Sequence, residues 1–162
     1  MSERSRSSAI LVLALIAMFA VLHPSGPARA ADDAVAEKEA VVQVVSDAYV
    51  DGIHNFRDPA AIRKGFHTGF EMLSLKDDKL EKLPIEQWIA RIEERNAKEP
   101  PPTDRTQRTT IAAFPLVEVT GTAAVCKVEL TRDGKLAFTD YLQLYKFADG
   151  WKIVGKSFYR HP

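Results

Sequence analysis

A single cysteine, Cys126, stands in 162 residues, so no disulfide can form within the chain and packing alone must hold the fold. Neither sign of charge is in excess. Lys plus Arg and Asp plus Glu number 22 each, which leaves no net field to draw in nucleic acid or an anionic membrane. The basic residues are also not interleaved with aromatics, as single-stranded nucleic acid binding requires. The histidines are scattered, with no His-x-x-x-His and no Cys-x-x-Cys, so no metal site is expected. A glycine-rich phosphate loop, Ser–His–Asp spacing and a Gly-x-Ser-x-Gly elbow are all missing, and no cofactor is implied. Long apolar runs are also wanting. The longest, residues 9–22, is shorter than the ~20 residues a membrane-crossing helix needs.

That run has another reading. Arg4 and Arg6 precede it, His23-Pro24-Ser25-Gly26-Pro27 breaks it, and Ala28-Arg29-Ala30 offers the small residues of a cleavage site. The pattern predicts a leader over 1–30, cut after Ala30, and a secreted or periplasmic protein with no stable membrane anchor after cleavage. The remaining residues, 31–162, suffice for a single domain.

Within that domain the hydrophobic period changes once. Residues 31–54 read as an amphipathic helix with Val41, Val42, Val45, Ala48, Tyr49 and Ile53 on one stripe, and Asp51 facing water. Asp58-Pro59 is an N-cap followed by a first-turn proline, opening a short helix to Phe66. A strand over 70–75 and a turn at Lys76-Asp77-Asp78-Lys79 follow. A third helix from Pro84 shows Ile85, Trp88, Ile89 and Ile92 on one face and Arg91 and Arg95 on the other. After the prolines at 100–102 the period becomes two, and 109–120, 123–130, 136–147 and 151–159 read as strands. Asp133-Gly134 and Asp149-Gly150 suit tight hairpins. Helices first and a meander after define an α+β fold, helices on one face of an antiparallel sheet.

With Asp149-Gly150 as a two-residue loop, Tyr141 pairs near Phe158, Gln143 near Lys156 and Tyr145 near Val154. Cys126 and Val128 join that face. Asp140, Leu142, Leu144, Trp151, Ile153 and Tyr159 take the other, unless a bulge inverts part of the register. Both faces are apolar, and helices can cover one, so the other is expected to pack on a second subunit.

Four segments carry a resemblance: Tyr49-Val50-Asp51-Gly52-Ile53-His54-Asn55, Ile62-Arg63-Lys64-Gly65-Phe66-His67, Phe138-Thr139-Asp140-Tyr141-Leu142, and the run from Asp149 to Phe158. In this order they resemble the putative lumazine-binding family of the nuclear transport factor 2-like superfamily. The resemblance implies a cone-shaped fold, a strongly curved sheet wrapped on the first helix, a pocket at the open end, and dimers through the sheet. The sequence departs from the family at Thr68, where proline is usual, and at Gly155, where asparagine is common.

Seven residues are candidates for the pocket: Tyr49, His54, His67, Trp88, Asp140, Tyr141 and Lys156. His67, at a helix–strand junction, is either a general base or a helix-end histidine. His54 is read as a helix-end cap. Tyr49 and Trp88 suit the core, with polar tips that want partners. Asp140 either abstracts a proton or pairs with Lys127 across the strand. Tyr141 and Lys156, neighbours in this register, either hold an anionic or carbonyl ligand or mark a dimer interface. Three functions follow: a binder of a small aromatic or carbonyl compound, a cofactor-free isomerase or lyase using His67 as base with Tyr141 or Lys156 stabilising developing charge, or a non-catalytic interaction module with a filled cone.

Overall fold

A computed structural model describes the backbone of residues 27–162 and the side chains of residues 31–162. The leader expected over 1–30 lies outside the fully described residues. Helix α1 (Pro27–Val44) runs without a break into a π-helical segment, Val45–Asn55. The wider turns end where the Phe56 N–H donates to the Asp51 carbonyl at 2.8 Å, five residues back. They turn Val50, Gly52 and Asn55 inward along with the expected Val45, Ala48, Tyr49 and Ile53. Two glycines then let the next helix, α2 (Pro59–Gly65), lie flat against this segment. A Cβ on Gly65 would sit 2.3 Å from the Ala48 methyl, and one on Gly52 3.2 Å from Ile62. Asp58 caps α2 as expected, its Oδ1 accepting from the N–H groups of Ala60 and Ala61.

Six strands form one sheet: β1 (Phe66–Lys76), β2 (Lys79–Pro84), β3 (Thr110–Thr120), β4 (Ala123–Arg132), β5 (Lys135–Phe147) and β6 (Gly150–Arg160). Helix α3 (Ile85–Lys98) connects β2 to the meander. The spatial order is β2-β1-β6-β5-β4-β3, antiparallel throughout except where β1 runs parallel to β6. The sequence pattern marks Lys76–Lys79 as a turn but not the strand after it. Asp77 and Asp78 both have positive φ, so the turn closes a tight hairpin onto β2.

Bulges bend the sheet and decide which side chains face the helices. Gln143 pairs with Gly155 but Leu144 with Ile153, leaving Val154 as an extra residue in β6. This corrects the expected register. Tyr141 faces Ser157, Gln143 faces Gly155 and Tyr145 faces Lys152. Before the bulge, Trp151 and Ile153 share the face of Leu142 and Leu144 as expected, and that face is the inner one; beyond it Lys156 joins them and Tyr159 turns to solvent. Cys126 and Val128 pair with Leu142 and Asp140, so they belong to the concave face and not to that of Tyr141. Asp140 therefore has no contact with Lys127, which pairs with Glu129 instead. Burial pushes the Cys126 thiol up to about 12, as befits a small core hydrophobe. The core lies between this concave face and the inner sides of α1, the π segment and α3.

Candidate functional site

Three elements each send one polar side chain into the apolar interior. Tyr49 comes from the π segment, Asp140 from β5 and Lys156 from β6, and their exposures are 0%, 0% and 4%. Groups so buried must satisfy one another. The Tyr49 hydroxyl donates to Asp140 Oδ2 at 2.7 Å, and Lys156 Nζ donates to the Tyr49 hydroxyl oxygen at 2.6 Å. Lys156 Nζ also lies 2.9 Å from Asp140 Oδ1, close enough for an ion pair though poorly aligned as a hydrogen bond. Around the ammonium stand the rings of Phe158, Tyr49 and Trp88, with centroids at 4.5, 4.8 and 5.6 Å. Burial holds the Lys156 amine below its ordinary range, against the pull of Asp140. Burial, followed by the Asp140 charge, holds the Tyr49 phenol well above its ordinary range, so it stays a hydrogen-bond donor. The three groups take one another as partners.

His54 leaves the π segment one residue before its end and packs edge-on against the Tyr49 ring, centroids 4.7 Å apart. It is not a solvent-exposed cap. Arg132 Nη2 lies 2.7 Å from its Nδ1. A guanidinium only donates, so Nδ1 accepts and the imidazole is the neutral tautomer protonated at Nε2. Burial, with the nearby Lys156 and Arg132 charges, pushes its pKa down to about 3. At neutral pH it is an orienting group for Arg132.

On the far side of His54 and Trp88 from Tyr49 opens a cavity of about 600 Å³. Its apolar walls are Ile53, Met72, Leu83, Trp88 and Ile92, and its charged ones Arg57, Arg91, Arg95, Arg132 and Glu99. A second hollow of about 510 Å³ lies outside the cone, between α2 and the β5–β6 turn, lined by both signs of charge. The first adjoins the aromatic cluster and has the chemistry of a ligand site: an apolar floor with a few polar anchors. Among the described residues no three His, Cys, Asp or Glu side chains gather where they could hold a metal ion.

Of the seven candidates, Tyr49, Trp88, Asp140 and Lys156 converge, and His54 joins them to the cavity. Tyr141 does not; it stands on the convex face, 43% exposed. His67 does not either. It sits in the irregular stretch of β1, stacked on Phe147 at 4.7 Å, its Nδ1 accepting from the Gly69 N–H at 3.0 Å. Gly155 is likewise on the convex face, where Gln143 folds over it; a Cβ would meet Gln143 Oε1 at 2.8 Å. The departure from the family pattern at that position leaves the cavity untouched. Sequence reasoning missed Phe158 and all four arginines. The spacing of Arg91 and Arg95 marked one polar face of α3, but nothing marked that face as overlooking a cavity.

A concave sheet wrapped on helices, with a cavity at its open end, is the architecture of nuclear transport factor 2-like proteins. An NTF2-like protein of unknown function from Shewanella baltica superposes with a TM-score of 0.62 at 26% identity, over 79% of this chain and 96% of that one. NTF2-like proteins of unknown function from Silicibacter pomeroyi and Methylobacillus flagellatus share the fold at 21% identity, each with a TM-score of 0.59. They cover 81% and 79% of this chain, and 98% and 94% of their own. Residues 36–159 match the family described as putative lumazine-binding, and the chain belongs to that family. None of the curated proteins matches it.

Proposed function

We propose that the protein is a non-catalytic binder of a small aromatic or carbonyl compound, held in the cavity against Trp88. On the reading of residues 1–30 as a leader, it does so after export. The observation that carries this is the position of Trp88, which lines the cavity while its ring also lies against the buried Lys156 ammonium. One face of the indole is thereby fixed by the cluster and the rest is offered to a ligand, so binding needs little side-chain ordering. The volume is ordinary for a ligand the size of a bicyclic ring system. The enzyme alternative needs His67 as base beside Tyr141 or Lys156, and none of the three lines this cavity. The filled-cone alternative needs no cavity at all.

Thermal-shift screening against small aromatic and carbonyl compounds, lumazine and flavin precursors included, is the test. At 100 times its dissociation constant a true ligand adds ~2.7 kcal/mol, a rise in Tm of roughly 10 °C. Trp88→Leu should remove the shift while the variant still melts cooperatively. If no compound moves the wild-type transition, the binding reading fails.

A further inference from the structure

We propose that the ligand is an organic anion, a planar apolar body bearing a carboxylate, sulfonate or phosphate, docked on a guanidinium rim. This rests on the reading of the cavity as a ligand site and adds the charge of what fills it. Four arginines line the cavity against one carboxylate, Glu99. That carboxylate is already divided, lying 3.3 Å from Arg95 and 3.6 Å from Arg57. Arg132 and Arg91 form no ion pair with any described residue, and Arg57 and Arg95 share the single carboxylate of the wall.

Arg132 is built to receive an anion. Its Nε donates to Thr110 Oγ1 at 3.0 Å, Nη2 donates to His54 Nδ1, and the guanidinium lies 5.5 Å from the Phe138 ring centroid. Those contacts fix the fork and leave Nη1 unassigned. All its partners are neutral, His54 included, so the half-buried positive charge has no internal counterion. Taking a guanidinium partly out of water without an anion is unfavourable, and a bound oxyanion would offset that with charge-assisted bonds. Arg57 supports the same reading: it is buried, and its Nη1 lacks a partner. The other buried cation, Lys156, already has Asp140, so the anion belongs on the rim and the apolar body on Trp88 and Met72.

The test uses two fluorescent probes with one skeleton, anilinonaphthalene sulfonate and its neutral parent N-phenylnaphthylamine, titrated into the full-length protein. The sulfonate should bind more tightly by roughly tenfold or more, the worth of a charge-assisted contact, and this preference should shrink as salt rises. Arg132→Gln should reduce the preference. Arg91→Gln, an exposed position with no partner to lose, should do so without touching the fold. Glu99→Gln should strengthen the sulfonate and leave the neutral probe unchanged. Equal binding of both probes would overturn the anion assignment while leaving the ligand site standing. Binding of neither would overturn the ligand site itself, and the assignment with it.

Discussion

His54 shows how far one side chain can depart from the role its position suggests. Near a helix end it reads as a cation that complements the dipole; inside the fold it is neutral, with a pKa near 3 against an ordinary value of 6.5. Between those values the unfolded chain holds a proton that the folded chain refuses. Stability therefore rises with pH across that window, and is lost as pH falls from 6.5 toward 3, by ~1.4 kcal/mol per unit at most. The full loss is roughly 5 kcal/mol. The carboxylates that salt bridges hold low, such as Glu37 and Asp58, begin to count only below their ordinary 4.5 and 3.8, so the upper part of the window belongs to the histidine. Urea denaturation at a series of pH values should show that slope, and His54→Asn, whose amide oxygen can still accept from Arg132, should flatten it above about pH 4. A wild-type curve already flat between pH 6.5 and 4 would mean that the folded protein protonates His54 freely.

At the scale of elements, the features with a local chemical signature were legible. Asp58-Pro59 announced α2, because a capping carboxylate and a first-turn proline act within one turn of chain. Asp133-Gly134 announced the β4–β5 hairpin, and both residues do adopt positive φ. Strand β2 escaped because only Leu83 of its six residues is buried outright, so alternation had nothing to alternate with. The Val154 bulge escaped for a different reason: an extra residue in a strand changes parity without changing composition. That one residue brings Lys156 and Asp140 to the same side, linking β6, β5 and the π segment through Tyr49. Lys156→Met should then cost about 3–5 kcal/mol in chemical denaturation, because Asp140 is left as a buried charge with one donor. Adding Asp140→Asn should recover more than half of the loss, as the remaining groups are neutral. A Lys156→Met variant as stable as wild type would show that the buried ion pair does not hold the fold.

The whole molecule presents two charge and surface patterns that totals conceal. Balanced composition gave no hint of a cationic cavity, because its arginines come from the loop before α2, from α3 and from β4, segments that only the fold assembles. The convex side of the sheet is the other pattern. Tyr141 and Tyr145, 43% and 51% exposed, stand there with Leu116 and Val125, over the flat spot where Gly155 and Ser157 lack bulk. The Lys127–Glu129 pair lies within the same face, so a copy related by a two-fold axis could set each charge against its opposite. We therefore expect a homodimer through this face, as the apolarity of both strand faces suggested. Such an interface would need ~800 Å² from each partner. Light scattering on the protein should give twice the monomer mass. Tyr141→Glu should halve it while leaving the melting transition cooperative and the cavity able to bind, since the two faces share no side chain. A monomeric mass at high micromolar concentration would sink the dimer, and the tyrosines of the convex face would then be ordinary exposed aromatics.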